Sequence, residues 1–105
     1  MSNWKEEYKK DLPLFNSLKL LFENHAITRM YEIKDLYAGK IANALGINKG
    51  RYAQKLANPE TFVLFEILRL AFIIDIDPNL IINVIQNEKD VMTKIIDRVK
   101  KDKSK

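Results

Sequence analysis

Residues 40–58 read KIANALGINKGRYAQKLAN, and the fold follows from how that stretch is parsed. Ile41, Ala42 and Leu45 share one face of a short helix. Gly46 falls where a helix end takes a left-handed residue, a conformation only glycine adopts without a Cβ penalty. Ile47 is expected as a buried plug in the turn, and Asn48 as the N-cap of a second short helix. Two helices joined this tightly cross at a steep angle and leave the second one prominent on the surface, the geometry of a helix-turn-helix unit.

Upstream of this pair, Thr28 is placed to cap a helix over residues 29–37, with Met30, Ile33, Leu36 and Tyr37 inward. Gly39 reads as a breaker, and Ala38 and Gly39 together permit a sharp change of direction. Further back, Pro13 suits the first position of a helix over residues 13–23, whose broad apolar face carries Leu14, Phe15, Leu18, Leu21 and Phe22. Asn24 and His25 then end it. Asn3 with Glu6 has capping-box spacing, and Trp4, Tyr8 and Leu12 form an apolar stripe after it.

Downstream, Asn58 precedes Pro59, which pushes it out of the helical region and ends the second motif helix. Leu64, Ile67, Leu68 and Ala71 repeat at helical spacing, predicting a well-buried helix. The β-branched cluster Ile73, Ile74 and Ile76 is too short and too isolated for a strand. Asp77 before Pro78 is an N-cap followed by a proline in the first turn, opening a helix to about residue 87 that buries Leu80, Ile81, Val84 and Ile85. Last comes an amphipathic helix with Val91, Ile95 and Val99 in one seam, Met92 and Ile96 beside it, and a KKDKSK end expected to fray. The fold class is therefore all-α, a compact bundle of about five to seven helices. Residues 1–26 read as an N-terminal helical extension, 27–87 as the helix-turn-helix domain, and 88–105 as a C-terminal amphipathic helix with a basic tail.

Composition removes several classes of function. The 105 residues include no cysteine, so disulfides and thiolate metal sites are excluded and a cytoplasmic setting is expected. No apolar run nears the roughly 20 residues of a membrane helix, and the charged N-terminus lacks the apolar stretch of a signal peptide. One histidine and three serines offer no nucleophile–base arrangement. Gly39, Gly46 and Gly50 are not spaced as a phosphate loop, so neither a catalytic site, a metal nor a cofactor is expected. Asp75 and Asp77 fit turn and capping chemistry.

What remains is charge and a binding face. The net charge is +4, and residues 26–58 alone carry six Lys/Arg against two acids. Residues 59–87 carry one against four. A basic stretch beside an acidic one suits a polyanion-binding surface, although a solvated surface has the same composition. Lys49 and Arg51 have the reach and donors for guanine N7/O6 or for phosphate, and Gln54 has the amide that pairs with adenine. Gly50 allows close backbone approach. Lys55, Asn58 and Lys40 are expected at phosphates, which position a protein without reading sequence.

The run IANALGINKGRYAQKL, followed by NPETF and EILRLAFIIDIDPNLI, resembles the lambda-repressor-like (Cro/XRE) helix-turn-helix family over residues 27–87. The resemblance implies a compact bundle of four or five helices that binds double-stranded operator DNA, often as a homodimer on inverted half-sites. It places the start of the recognition helix at Asn48, Lys49, Gly50 and Arg51, with Lys49 and Gly50 where the family commonly touches base edges. Relatives usually carry an apolar residue at the position of Lys55, which here can extend its stem along the core and its charge outward. The expected function is a sequence-specific transcriptional regulator, a repressor, with the helix Lys49–Ala57 in the major groove. The alternative is a protein-interaction module, such as an antitoxin or co-regulator, that uses the N- or C-terminal helices to hold a protein partner.

Overall fold

Residues 15–103 are described by the computed structural model. They form α1 (Asn16–Glu23), α2 (Ala38–Leu45), α3 (Lys49–Ala57), α4 (Leu64–Ile74), α5 (Pro78–Asn87) and α6 (Lys89–Lys103). Two 3-10 turns, Met30–Ile33 and Pro59–Thr61, complete the set, and no strand occurs among the described residues. The expected Asn3 cap, the Trp4/Tyr8/Leu12 stripe, and Pro13 and Leu14 lie outside them. No described helix is long and apolar enough to cross a membrane.

The tight turn forms as its sequence dictates. Gly46 takes φ +77°, the Gly46 N–H donates to the Asn43 carbonyl, and the Ile47 N–H donates to that of Ala42. This pair of bonds is the Schellman ending of a helix. Asn48 is extended, and its side chain accepts the Arg51 N–H at 2.7 Å. Ile47 is half-buried against the core rather than a fully buried plug.

Two more helix ends use the same device without glycine. His25 (φ 57°) ends α1, and Asp75 (φ 68°) ends α4. Each helix end is closed by a reverse bond, Ala26 N–H to the Leu21 carbonyl and Ile76 N–H to that of Ala71. Asp77 then caps α5, accepting the Asn79 N–H at 2.9 Å.

Around the motif lies one core. Phe15, Leu18 and Phe22 of the α1 region pack with Met30, Ile33, Ile41, Leu45, Tyr52, Leu56, Leu70, Ile73, Ile74 and Ile81. Thus α1 contributes to the same core as residues 27–87. Leu80, Val84 and Ile85 are half-buried against it, so Ile81 is the fully buried residue of α5.

Several expectations are corrected. Residues 29–37 form a 3-10 turn over Met30–Ile33 instead of an α-helix. A 3-10 turn eclipses i and i+3, which puts Met30 and Ile33 into the core together. Thr28 does not cap it: the Thr28 N–H and hydroxyl both donate to the Glu32 carboxylate. The Met30 N–H instead donates to the buried Glu88 carboxylate at 2.9 Å. Tyr37 is exposed in the left-handed region, touching Phe15 edge-on, and Gly39 lies inside α2.

The buried face of α4 also differs from the expected one. Leu70, Ala71, Ile73 and Ile74 are buried and Ile67 half-buried, while Leu64 and Leu68 are exposed together with Val63 and Phe65. The sequence LFEILRLAFII is apolar almost all round, so its periodicity leaves the rotation open. Glu66 sets it, as described below. Finally, α6 runs helical to Lys103 where fraying was expected from residue 100.

Candidate nucleic-acid interface

The second motif helix is α3, and its buried side is Tyr52, Lys55 and Leu56. At 100° per residue, Gly50, Gln54 and Ala57 fall on the opposite side with Arg51 on its flank, while Lys49, in the first turn, falls toward the Leu56 side. All five are exposed. From Ala38 to Asn58 there is no acidic residue, so the face presented by α2 and α3 is uniformly neutral or positive. Arg51 and Gln54 also border a shallow groove with Asn58, Glu60 and Thr61.

Lys49 crosses to the neighbouring helix. Its Cε would stand only 3.1 Å from a Cβ built at Gly39, so the absence of that Cβ leaves the space in which the lysine stem lies. The charge of Lys49 is thereby carried beside the first turn of α2, where Tyr37 provides no side-chain cap. Lys40 is exposed on that same helix. The helix dipole adds a partial positive charge at this end.

Two predicted residues occupy different positions from those expected. Lys55 is buried, and its ammonium donates to Glu66 Oε1 and to the Thr61 carbonyl, each at 2.9 Å. The expectation that it faces a phosphate is corrected: the stem is buried and the charge is paired inward with Glu66. Asn58 is exposed, but its amide is engaged at both ends. Nδ2 donates to the Gln54 carbonyl, and Oδ1 accepts from Lys94.

Glu66 carries more of this arrangement than its sequence context suggested. Its Oε1 also accepts the Val63 N–H at 3.0 Å, closing the N-terminus of α4. Burial alone would raise its pKa, but the Val63 N–H, the Lys55 hydrogen bond and the charges of Lys55 and Arg51 outweigh burial and lower it. One carboxylate therefore joins the end of α3 to the start of α4. The local signal was the spacing of Glu66 three residues after Val63; its partner Lys55 lies eleven residues back and had no such signal.

Tyr52 sits at the centre of the buried side with its hydroxyl unpaired. Burial raises the pKa of that hydroxyl well above its ordinary range. Among the described residues no cluster of histidine and carboxylates is arranged to hold a metal ion. No family model, no curated protein and no solved structure matches this chain.

Proposed function

We propose that this chain is a sequence-specific DNA-binding regulator of the lambda-repressor-like kind, a repressor that lays α3 in the major groove of double-stranded DNA. The observation that carries the reading is the outward face of α3. Tyr52 and Leu56 anchor the helix, Gly50, Arg51 and Gln54 stand on the opposite side and its flank, and exposed Lys49 lies in the first turn, with no carboxylate among the four. Arg51 and Gln54 supply the donors and acceptors that distinguish guanine and adenine edges. Lys49 and Lys40, beside the start of α2, supply phosphate contacts that set the docking angle.

The experiment is a salt titration of binding to duplex DNA. Each neutralised phosphate contributes a slope of about −0.9 in log K against log salt. Phosphate contacts from Lys40 and Lys49 lead to a slope of about −2 per protomer. Binding that is absent, or flat with salt across many sequences, would overturn the proposal.

A second reading, the protein-interaction module, draws on a different observation. Val63, Leu64, Phe65 and Leu68 form an exposed apolar group at the start of α4, larger than scattered surface hydrophobics require. A salt-independent chain would leave this reading standing.

A further inference from the structure

The start of α4 carries apolar surface that the other described helices leave exposed. Leu64 is 63% exposed, Phe65 61% and Leu68 46%. At 100° per residue these three, with half-buried Phe72, fall on one arc of the helix, opposite the buried Leu70, Ile73 and Ile74. Arg69 borders the arc, its guanidinium 5.0 Å from the centre of the Phe65 ring. The sequence holds an element of matching shape in Trp4, Tyr8 and Leu12, spaced at i, i+4 and i+8.

We infer that residues 3–12 dock as a short amphipathic helix along this arc in the same molecule, with Trp4, Tyr8 and Leu12 set on Leu64, Phe65, Leu68 and Phe72. The tether comes first. Three residues separate Leu12 from Phe15, which is buried in the core. One turn beyond Phe15, Lys19 donates to Asp75 at the C-terminal end of α4, at 2.9 Å. Leu12 is thereby held within reach of Phe72, and so short a tether raises the effective concentration of the segment into the millimolar range.

Length and charge agree with that placement. Trp4 to Leu12 and Leu64 to Phe72 each span eight residues, about 12 Å of helix. With Leu12 near Phe72 and Trp4 near Leu64, the two helices run parallel. Glu7 and Asp11 flank the stripe on one side, and Lys5 and Lys9 on the other. In a parallel pair the acidic flank meets the side of α4 that carries Arg69. A helix this short is marginal alone in water, so the contact with α4 is what holds it. The start of α4 is then an occupied surface, which an outside partner wins only by displacing residues 3–12. DNA plays no part in this contact.

Trp4 is the only tryptophan of the chain, so its fluorescence reports the contact directly. In the folded full-length chain its emission should be blue-shifted, and its quenching by acrylamide several-fold weaker, relative to the same chain unfolded in urea. Phe65→Lys and Leu68→Lys replace exposed side chains and set a charge beneath the segment. Both should return emission and quenching most of the way to the unfolded values, while far-ultraviolet circular dichroism remains that of a helical protein. Ile95→Lys, in the separate exposed seam that Met92, Ile95, Ile96 and Val99 form on α6, should change neither reading.

Trp4→Ala with Tyr8→Ala removes the cover without touching α4, and the folded variant should bind an apolar fluorescent dye several-fold more strongly than the parent chain. A Trp4 as accessible in the folded chain as in urea would overturn the inference. So would emission that Phe65→Lys and Leu68→Lys leave unmoved or that Ile95→Lys moves equally, or dye binding that the double variant does not raise.

Discussion

Lys55 Nζ lies 2.9 Å from Glu66 Oε1, with the two side chains only 10% and 13% exposed, and this pair joins α3 to α4. A pair so placed contributes little by existing and costs much when half of it is removed, because the remaining charge stays buried. Lys55→Ala should destabilise the fold by about 3 kcal/mol, and Lys55→Met with Glu66→Leu should recover most of the loss. Urea unfolding of both variants measures this. The double variant should keep the salt slope of DNA binding, since Lys55 does not reach the outward face.

Acid should act through the same carboxylate. The Glu66 pKa is lowered in the folded chain, so its contribution to stability is present above the ordinary glutamate pKa. That contribution is lost as pH falls through the lowered value. Glu60 behaves alike: burial opposes the shift, and the Lys94 hydrogen bond, its own backbone N–H and the Lys94 charge prevail. The urea midpoint should be level from pH 7 to about 5 and decline below about pH 4.5. In Glu66→Gln the decline should be shallower; an unchanged profile would assign the acid sensitivity elsewhere.

Tyr52 offers the opposite kind of substitution. Its hydroxyl is buried without a partner, and such a group costs about 1–3 kcal/mol in desolvation. Tyr52→Phe should raise stability by about 1 kcal/mol, with DNA affinity unchanged. A loss of stability in thermal unfolding would mean that the hydroxyl has a partner in solution.

Gly39 and Gly50 should separate stability from binding. Both lie in the first turn of a helix, where Gly→Ala stabilises by no more than about 0.5–1 kcal/mol, the value of a helix interior. A Cβ at Gly50 meets only Asn48 Oδ1 at 3.5 Å, an ordinary contact, so nothing in the packing offsets the gain of Gly50→Ala. At Gly39 the Cβ displaces the Lys49 stem and some of the gain is lost. Both variants should bind DNA several-fold more weakly, the first by crowding the groove and the second by moving a phosphate contact. Affinity equal to that of the parent chain would count against the docking geometry.

Arg51→Ala and Gln54→Ala address readout. Each should erase preference among DNA sequences by about 1–3 kcal/mol while changing non-specific affinity less. A uniform loss across sequences would make both residues phosphate contacts. Binding to a panel of single-base operator variants distinguishes the outcomes.

Much of the architecture was legible because its signals are short-range. Gly46, Asn48 and the Asp77–Pro78 pair each act on the backbone within a few residues, and α3 and α5 begin where those residues place them. The candidate face was legible for the same reason, since which residues lie opposite Tyr52 and Leu56 follows from helical phase. Residues 29–37 misled because Met30 and Ile33 satisfy an α-helical and a 3-10 spacing equally, and the choice rests on Glu88, fifty-eight residues away from Met30.

By itself, then, the sequence determined the helical class, the tight turn at Gly46 and the absence of acid between Ala38 and Asn58. Tertiary structure alone decided which side of α4 is buried, that Lys55 turns inward, and that α6 stands away from the core with its seam uncovered. The physical reason is common to all three. An apolar or amphipathic helix specifies only that some face be covered, whereas the particular face depends on partners such as Glu66 for Lys55 and Glu60 for Lys94, which no local spacing connects.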